Sequence, residues 1–237
     1  MTIASSVRYR IEDFLGLRRQ CEHTFYAGSL GKDSVIVDLG GNRGEFSGAL
    51  RREFGCRALA VEPVPALCAE IKRAGVAEVV NAAISDHDGE LSFFTEEDST
   101  FGSIFGKTSG SQGRLTVPCV TLESLLKSAR LTSVDLLKID IEGAEVPLFD
   151  STSDETLLRM GQITVEFHDF IEKLNQAPHT DKIIARLEKL GFLAIQFGSR
   201  MDVLFVNTRN IRLPWFVVAY LRLLRFLFGA TKLRRRR

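Results

Sequence analysis

The sequence lacks several features that would each place it in a class of its own. Four cysteines, Cys21, Cys56, Cys68 and Cys119, are scattered and form no CxxC pair, so neither a zinc module nor a thiol redox motif is expected. No internal repeat or low-complexity tract interrupts the chain, which excludes a solenoid and a wholly disordered protein. No secretory hydrophobic region opens it, and the expectation is a reduced, cytoplasmic protein. The GxGxxG turn of dinucleotide-binding folds is absent as well. What is present is an ordinary globular composition, 45% hydrophobic and 26% charged over 237 residues, enough for one α/β domain with additions.

Acidic residues are missing from one region in particular. Residues 208–237 hold nine Lys or Arg and no Asp or Glu, leaving 22 basic against 30 acidic residues in the rest of the chain. A net charge of +1 thus hides a tail of +9 and a body of −8. The boundary near Asn207 divides a domain at 32–207 from a basic amphipathic tail at 208–237. Residues 1–31 form a third segment, in which "VRYRIEDFLGLRRQ" predicts an amphipathic helix that packs on the domain or covers a cleft.

Within the body, apolar runs of strand length recur at intervals that leave room for helices: "SVIVDLG", "RALAVEP", "EVVNAAI", "VDLLKID" and "QITVEF". That alternation predicts a mostly parallel sheet with helices on both faces. "EFSGALRREFG" and "PALCAEIKRAG" read as the first two helices, each stopped by glycine, the second begun by Pro65. A helix over "TDKIIARLEKL", two strands and a turn at Gly198 to Arg200 predict an antiparallel hairpin at the end of the sheet. The polar, glycine-rich stretch from Thr95 to Thr116 carries Phe101, Ile104 and Phe105. Residues 96–116 read as an irregular segment that either closes over substrate or does not.

The first strand ends in "VDLGGNRG". Gly40 and Gly44 let a ligand approach the main chain, while Asp38 at the strand's end would repel the pyrophosphate of a dinucleotide and attract an ammonium group. S-adenosylmethionine carries an ammonium and a sulfonium and no phosphate, and it is the expected cofactor. Asn42 lies in the same turn. Glu62 closes the second strand, where it would accept the ribose hydroxyls, and Pro63 stops that strand. At the third strand, Ala82 and Ala83 would either let an adenine ring pass, with Ser85 or Asp86 at its edge, or serve tight packing.

A second charged constellation lies in "VDLLKIDIEGAEVPLF", where period-two spacing puts Lys138, Asp140 and Glu142 on one side. "VEFHDF" brings Glu166 and His168 to the same sheet edge. Titratable groups this close to central strand ends imply a cleft or ion pairs, and a closed pairing of Glu166 and His168 with Lys138 is the structural alternative to a catalytic role.

Through "VDLGGNRG", "AVEP", "NAAISD", "VPCVTLESLL", "VDLLKIDIEGAE" and "VEFH", residues 34 to 207 resemble the FkbM family of S-adenosylmethionine-dependent methyltransferases. The resemblance implies a class I, Rossmann-like fold of seven strands with one antiparallel, and O-methylation of a hydroxyl on a saccharide, lipid-linked glycan or related metabolite. Gly41, Arg43, Pro147 and Asp150 depart from the family's usual residues. The implied chemistry is an in-line displacement aided by a general base. His168 has the best-suited ordinary pKa, Asp140 is the other candidate and is also expected beside the methionine moiety, and Glu142 and Glu166 position or deprotonate the acceptor. Asp140, Glu142, Glu166 and His168 are chemically able to hold magnesium or manganese, but no ligand spacing demands a metal and none is assigned.

The tail's apolar part, Trp215 to Phe228, would reach only about 21 Å as a helix, against about 30 Å of hydrocarbon. Arg222 and Arg225 share a face, leaving Trp215, Phe216, Val218, Leu223, Phe226 and Leu227 to enter an apolar phase, so residues 212–237 are expected at an anionic membrane surface on the cytoplasmic side. Packing on its own domain or on a second copy is the alternative. Nucleic acid is disfavoured as a partner because the body has no basic, aromatic-studded platform. An RNA methyltransferase using the tail, or a recruited cofactor-binding module without turnover, remain the competing functions.

Overall fold

The computed structural model describes residues 11–96, 102–103, 112–168, 176–197 and 202–235. Its first elements correct the sequence expectation. Among the described residues of the span expected to be helical, only 11–14 are helical, and the chain then forms an antiparallel hairpin, β1 (Leu17–Gln20) and β2 (His23–Tyr26), turning at Cys21 and Glu22 with φ of 46° and 65°. The helical period is overruled from Leu17 onward because polar residues of the sheet beneath supply partners that an extended strand can meet. Gln162 accepts from the Tyr26 N–H at 2.8 Å and donates to its carbonyl at 3.0 Å, and Thr24 donates to Asp202 at 2.7 Å. All three side chains are buried, where an unmade bond would carry its full desolvation cost.

The domain proper alternates as expected: β3 (Val35–Leu39), α1 (Glu45–Phe54), β4 (Arg57–Val61), α2 (Pro65–Ala74) and β5 (Glu78–Val80). Gly55 and Gly75 cap the two helices in the left-handed region, the role their sequence positions suggested. The third apolar run does not continue as one strand. It breaks at Asn81, whose side-chain amide donates to the Glu62 and Pro63 carbonyls at 2.9 Å each. Its second half, β6 (Ala83–Ile84), leaves for another sheet.

That second sheet contains β7 (Gly89–Glu96), β8 (Gly102–Ser103) and β9 (Gln112–Val120), in the order β6, β9, β7, β8. The stretch expected to be irregular is therefore laddered at its base, with Thr95 opposite Gly113 and Glu96 opposite Gln112. Phe101, Ile104 and Phe105, on which the lid expectation rested, lie outside the described residues, as does the turn at Gly198 to Arg200.

The chain continues through α3 (Leu122–Ser128), β10 (Val134–Ile139), α4 (Glu145–Ser151), α5 (Asp154–Leu158), β11 (Met160–Glu166), α6 (Ala177–Lys189), β12 (Phe192–Phe197), β13 (Asp202–Asn207) and α7 (Trp215–Arg235). Pro147 sits in the first turn of α4, where its missing N–H has no intrahelical partner to lose. The main sheet runs β12, β13, β11, β10, β3, β4, β5, with β13 antiparallel to both neighbours and the remaining pairs parallel. This is the α/β architecture that the resemblance implied, a seven-stranded, mostly parallel sheet with one antiparallel strand and helices on both faces.

Period two sorts the sheet's side chains. Val37, Leu39, Leu137, Ile139, Ile163 and Val165 pack with α3 to α6 in one cluster. Ile36, Ala58, Ala60 and Leu136 face α1, α2 and Phe25 of the hairpin. Asp38, Lys138 and Gln162 share the parity of this second face. On the same side, α7 packs Val217, Leu221 and Leu224 against Ile195, Phe197, Leu204 and Val206, with Leu17 and Tyr26 alongside.

Candidate functional site

The C-terminal ends of β3, β4 and β10 diverge around a cavity of about 380 Å³, within the size range of small-ligand pockets. Gly40 makes its floor possible. Its φ is +80°, and a Cβ there would fall 1.8 Å from the carbonyl oxygen of Asp140, so no other residue fits where β3 and β10 separate. Asn42 (φ 47°) continues the turn and donates its N–H to Glu62 Oε2 at 2.8 Å. The other Glu62 oxygen accepts the N–H of Val64 at 2.9 Å. Burial pushes the Glu62 pKa up to about 7, against the opposing pull of those two donors. Gly40, Asn42, Glu62, Pro63, Ala82, Asp140 and Glu142 all line the cavity.

Asp38 does not. It is fully buried below the floor, accepting from Ser47 Oγ of α1 at 2.6 Å and facing Lys138 Nζ at 3.1 Å. The cause is register: Lys138 pairs directly with Asp38 across β10 and β3, so the two charges meet on one face before either reaches the pocket. Direct contact between Asp38 and a ligand's ammonium is therefore corrected. Lys138 connects Asp38 to the pocket, because its Nζ also stands 3.5 Å from Asp140 Oδ2 and donates to the Gly40 carbonyl at 2.8 Å. Burial opposes the lysine charge, but the Asp38 and Asp140 carboxylates outweigh it and hold its pKa above the ordinary value.

Two other expected residues are displaced. Gly44 caps α1 with φ +75°, and a Cβ there would meet Val76 at 2.8 Å, so its role is helix packing and it is not part of the cavity wall. Ser85 follows β6 into the second sheet and spends its hydroxyl on Asp86 (3.1 Å) and His87 (3.3 Å), away from the lining.

Asp140 is the centre of the charged constellation. Burial would raise its pKa, yet Lys138, His23 and His168 together hold it well below the usual carboxylate range. His23 was missed by sequence reasoning. It lies in β2, fully buried, with Nε2 3.6 Å from Asp140 Oδ2, and the hairpin that carries it also puts Cys21 on the cavity wall. A lone histidine in a segment of helical appearance offers no signal for that placement; only the docking of the hairpin does.

On the other side of Asp140, the EGAE loop folds over Glu145. Its Oε1 accepts the N–H groups of Ile141 (3.3 Å) and Gly143 (3.1 Å) and faces His168 Nδ1 at 2.9 Å. This holds Glu142 in the left-handed region, φ 54°, with its side chain toward the cavity. His168 Nε2 then stands 3.4 Å from Glu142 Oε2 and 3.9 Å from Asp140 Oδ1. Burial disfavours a charged His168, but Glu145, Glu142 and Asp140 outweigh it and push its pKa up to about 9. The shift favours the imidazolium form, and His168 lies outside the cavity lining, so it does not face an acceptor there as the general base expected from the sequence would. Glu142 moves the other way: burial raises its pKa, with His168 opposing. Glu166 and His168 are not in the lining, and Glu166 is grouped with His23 and Asp140 behind it.

His23, Asp140 and Glu166, and separately Asp140, Glu142 and His168, bring one ligand-capable atom each within 4.8 Å of one another. These donors suit a divalent ion chemically. Lys138 Nζ and His168 Nε2 face these same carboxylates, at 3.5 Å from Asp140 and 3.4 Å from Glu142 respectively.

A profile of the methyltransferase FkbM domain matches residues 38–194, more than half of the chain. The chain belongs to the FkbM methyltransferase family. The match spans β3 to β12 and excludes both the hairpin that supplies His23 and helix α7. No curated protein matches the sequence. Among solved structures, an rRNA methylase from Streptococcus thermophilus is similar at 11% identity and TM-score 0.46, covering 84% of this chain and 95% of that one. The N-terminal domain of human METTL16 in complex with SAH is similar at 12% identity and TM-score 0.41, over 85% and 68% of the two chains. A precorrin-6y C5,15-methyltransferase from Geobacter metallireducens gives 13% identity and TM-score 0.37, over 75% and 80%.

Proposed function

We propose that this FkbM domain transfers a methyl group from S-adenosylmethionine to a hydroxyl of a saccharide, a lipid-linked glycan or a related metabolite. The observation that carries the reading is the pair Asp140 and Glu142, two cavity-facing carboxylates of opposite character on one loop. Asp140 is kept ionised beside Lys138, and Glu142 has its pKa raised by burial. Such a split assigns one acid to fixed charge and the other to proton transfer.

The cavity fits the cofactor. Its floor is main chain at Gly40, Glu62 offers hydroxyl-accepting oxygens at the second strand end, and the N–H groups of Gly40, Gly41, Asn42 and Gly44 after β3 are spent on protein acceptors, where a phosphate would need them. When bound, S-adenosylmethionine supplies an electrophilic methyl and loses its positive charge as that methyl is transferred. Glu62 would hold the ribose hydroxyls, Ala82 would flank the adenine, and Asp140 would face the ammonium. Glu142 would receive the acceptor's proton as the new C–O bond forms. His168, held protonated by Glu145, would orient Glu142 and offset the charge that the proton transfer redistributes.

Calorimetric titration of S-adenosylmethionine, S-adenosylhomocysteine and NAD against the wild type and Glu62→Ala tests the cofactor assignment. Binding of the first two alone, weakened in the variant, supports it, and preferential binding of NAD ends it. Acceptor class is then read from labelled methyl transfer to saccharide hydroxyls. Transfer to bulk RNA with steep salt dependence would replace the acceptor proposal, and tight binding with no turnover on any acceptor would replace the enzymatic one.

A further inference from the structure

We infer that the face formed by residues 11–14 and the outer side of α7 docks on an anionic lipid bilayer, with the helix lying along the surface. Among the described residues, the exposed large hydrophobic side chains are Ile11, Phe14, Trp215, Phe216 and Leu223. All five belong to two segments that adjoin one apolar cluster, through Leu15 and Leu17 on one side and Leu213, Val217 and Leu221 on the other. The surplus apolar surface is therefore gathered on the hairpin side of the sheet and absent elsewhere in the described surface.

Helix α7 has already met its structural requirement. Val217, Leu221 and Leu224 are buried in its own domain, while Trp215 (80% exposed), Phe216 (43%) and Leu223 (53%) leave large apolar areas outside that packing. Seven residues, close to two turns, separate Phe216 from Leu223 and set them on one outward stripe. Aromatic residues at 80 and 85% exposure cost free energy in water and gain it at a headgroup boundary.

Charge selects the occupant. Residues 208–237 hold nine basic residues and no acidic one, and Arg209, Arg212 and Arg222 in that segment are exposed. Arg225 is the exception, paired with Glu188 at 2.7 Å. A second copy of this surface would be repelled by the same excess of cations, whereas anionic headgroups are attracted by it. Among the described residues no helix is long and apolar enough to cross a membrane, so the geometry is that of a surface-bound helix.

Trp215 is the chain's one tryptophan, so intrinsic fluorescence reports on this face directly. With full-length protein and vesicles of phosphatidylcholine containing about one-third phosphatidylserine, a blue shift and increased intensity are expected. Neither change should occur with phosphatidylcholine alone, and added salt should reverse both. The variant Phe14→Ser/Phe216→Ser/Leu223→Ser should lose about tenfold or more in vesicle affinity, and Arg209→Glu/Arg212→Glu/Arg222→Glu should lose comparably, both with wild-type circular dichroism. An unchanged spectrum with anionic vesicles overturns the inference, as does equal binding to neutral vesicles. A lipid-independent shift that grows with protein concentration would make the occupant a second copy, and a shift with RNA but not vesicles would make it nucleic acid. Either result rejects the bilayer. Cofactor binding is measured separately, so this surface and the pocket can fail independently.

Discussion

Lys138 Nζ lies 3.1 Å from Asp38 Oδ1 and 3.5 Å from Asp140 Oδ2, joining a carboxylate sealed under the sheet edge to one that faces the cavity. Removing the lysine alone leaves Asp38 as an uncompensated buried charge. Lys138→Met is expected to cost about 3–5 kcal/mol of stability, and the double variant Asp38→Asn/Lys138→Met clearly less, because both desolvation penalties then disappear. Urea unfolding of the two variants checks this; equal losses would mean that the pair is not coupled.

Glu62 links cofactor affinity to pH. Its pKa near 7 in the ligand-free pocket, against an ordinary 4.5, means that part of the population is protonated at neutral pH. Ribose hydroxyls donating to the carboxylate favour the ionised form, so affinity should rise as pH increases through about 7 and level off above it. For folding the sign is opposite: the raised pKa makes Glu62 destabilising as pH rises from 4.5 through 7. Glu62→Gln should flatten both profiles, measured by calorimetry and by thermal unfolding across that range.

His168 titrates in the next window. With its pKa raised from 6.5 to about 9, its contribution to stability is fully present below 6.5 and is lost as pH rises through 9. His168→Gln should abolish that part of the stability profile. It should also lower kcat while leaving cofactor affinity nearly unchanged, since His168 is outside the cavity wall. A general-base role would instead appear as a rate that rises as His168 loses its proton.

The hairpin should be held by Gln162. Gln162→Leu removes both hydrogen bonds to Tyr26 and leaves a buried N–H and a buried carbonyl unpaired, at a cost of about 2–4 kcal/mol. Hydrogen exchange should accelerate first at residues 17–26, and His23 should lose its contact with Asp140. Uniform acceleration across the sheet would show that the hairpin and the sheet open as one unit.

Gly40 tolerates no side chain. Gly40→Ala combines a left-handed backbone with a Cβ 1.8 Å from a carbonyl oxygen, so β3 and β10 must separate for it to fit. Loss of cofactor binding together with a lowered Tm is expected, while Gly75→Ala, with no atom within 4 Å of its added Cβ, should bind cofactor normally.

Much of the site was legible because β-strands alternate with fixed period and glycine has few substitutes. "VDLGGNRG", Glu62 and "KIDIEGAE" had to meet at one sheet edge once the runs were strands. Ser85 was misplaced because nothing local marks where a strand changes sheets, and the change at Asn81 is set by its hydrogen bonds to the residues after β4. Asp38 and Lys138 were each recognised as important, yet their pairing depends on register between strands about a hundred residues apart in sequence.

From the sequence alone came the alternating α/β order, the helix stops, the glycine turn, the carboxylates at the strand ends and the cationic tail. These follow from properties of single residues and their nearest neighbours: periodicity, backbone freedom and charge. Only the tertiary structure decided that residues 17–26 form a hairpin, that Asp38 is buried beneath the pocket, that His23 reaches Asp140, and that Glu142, Glu145 and Asp140 surround His168. Each of those outcomes depends on what a distant segment offers a buried polar group, and local preference yields wherever the cost of leaving such a group unpaired is larger.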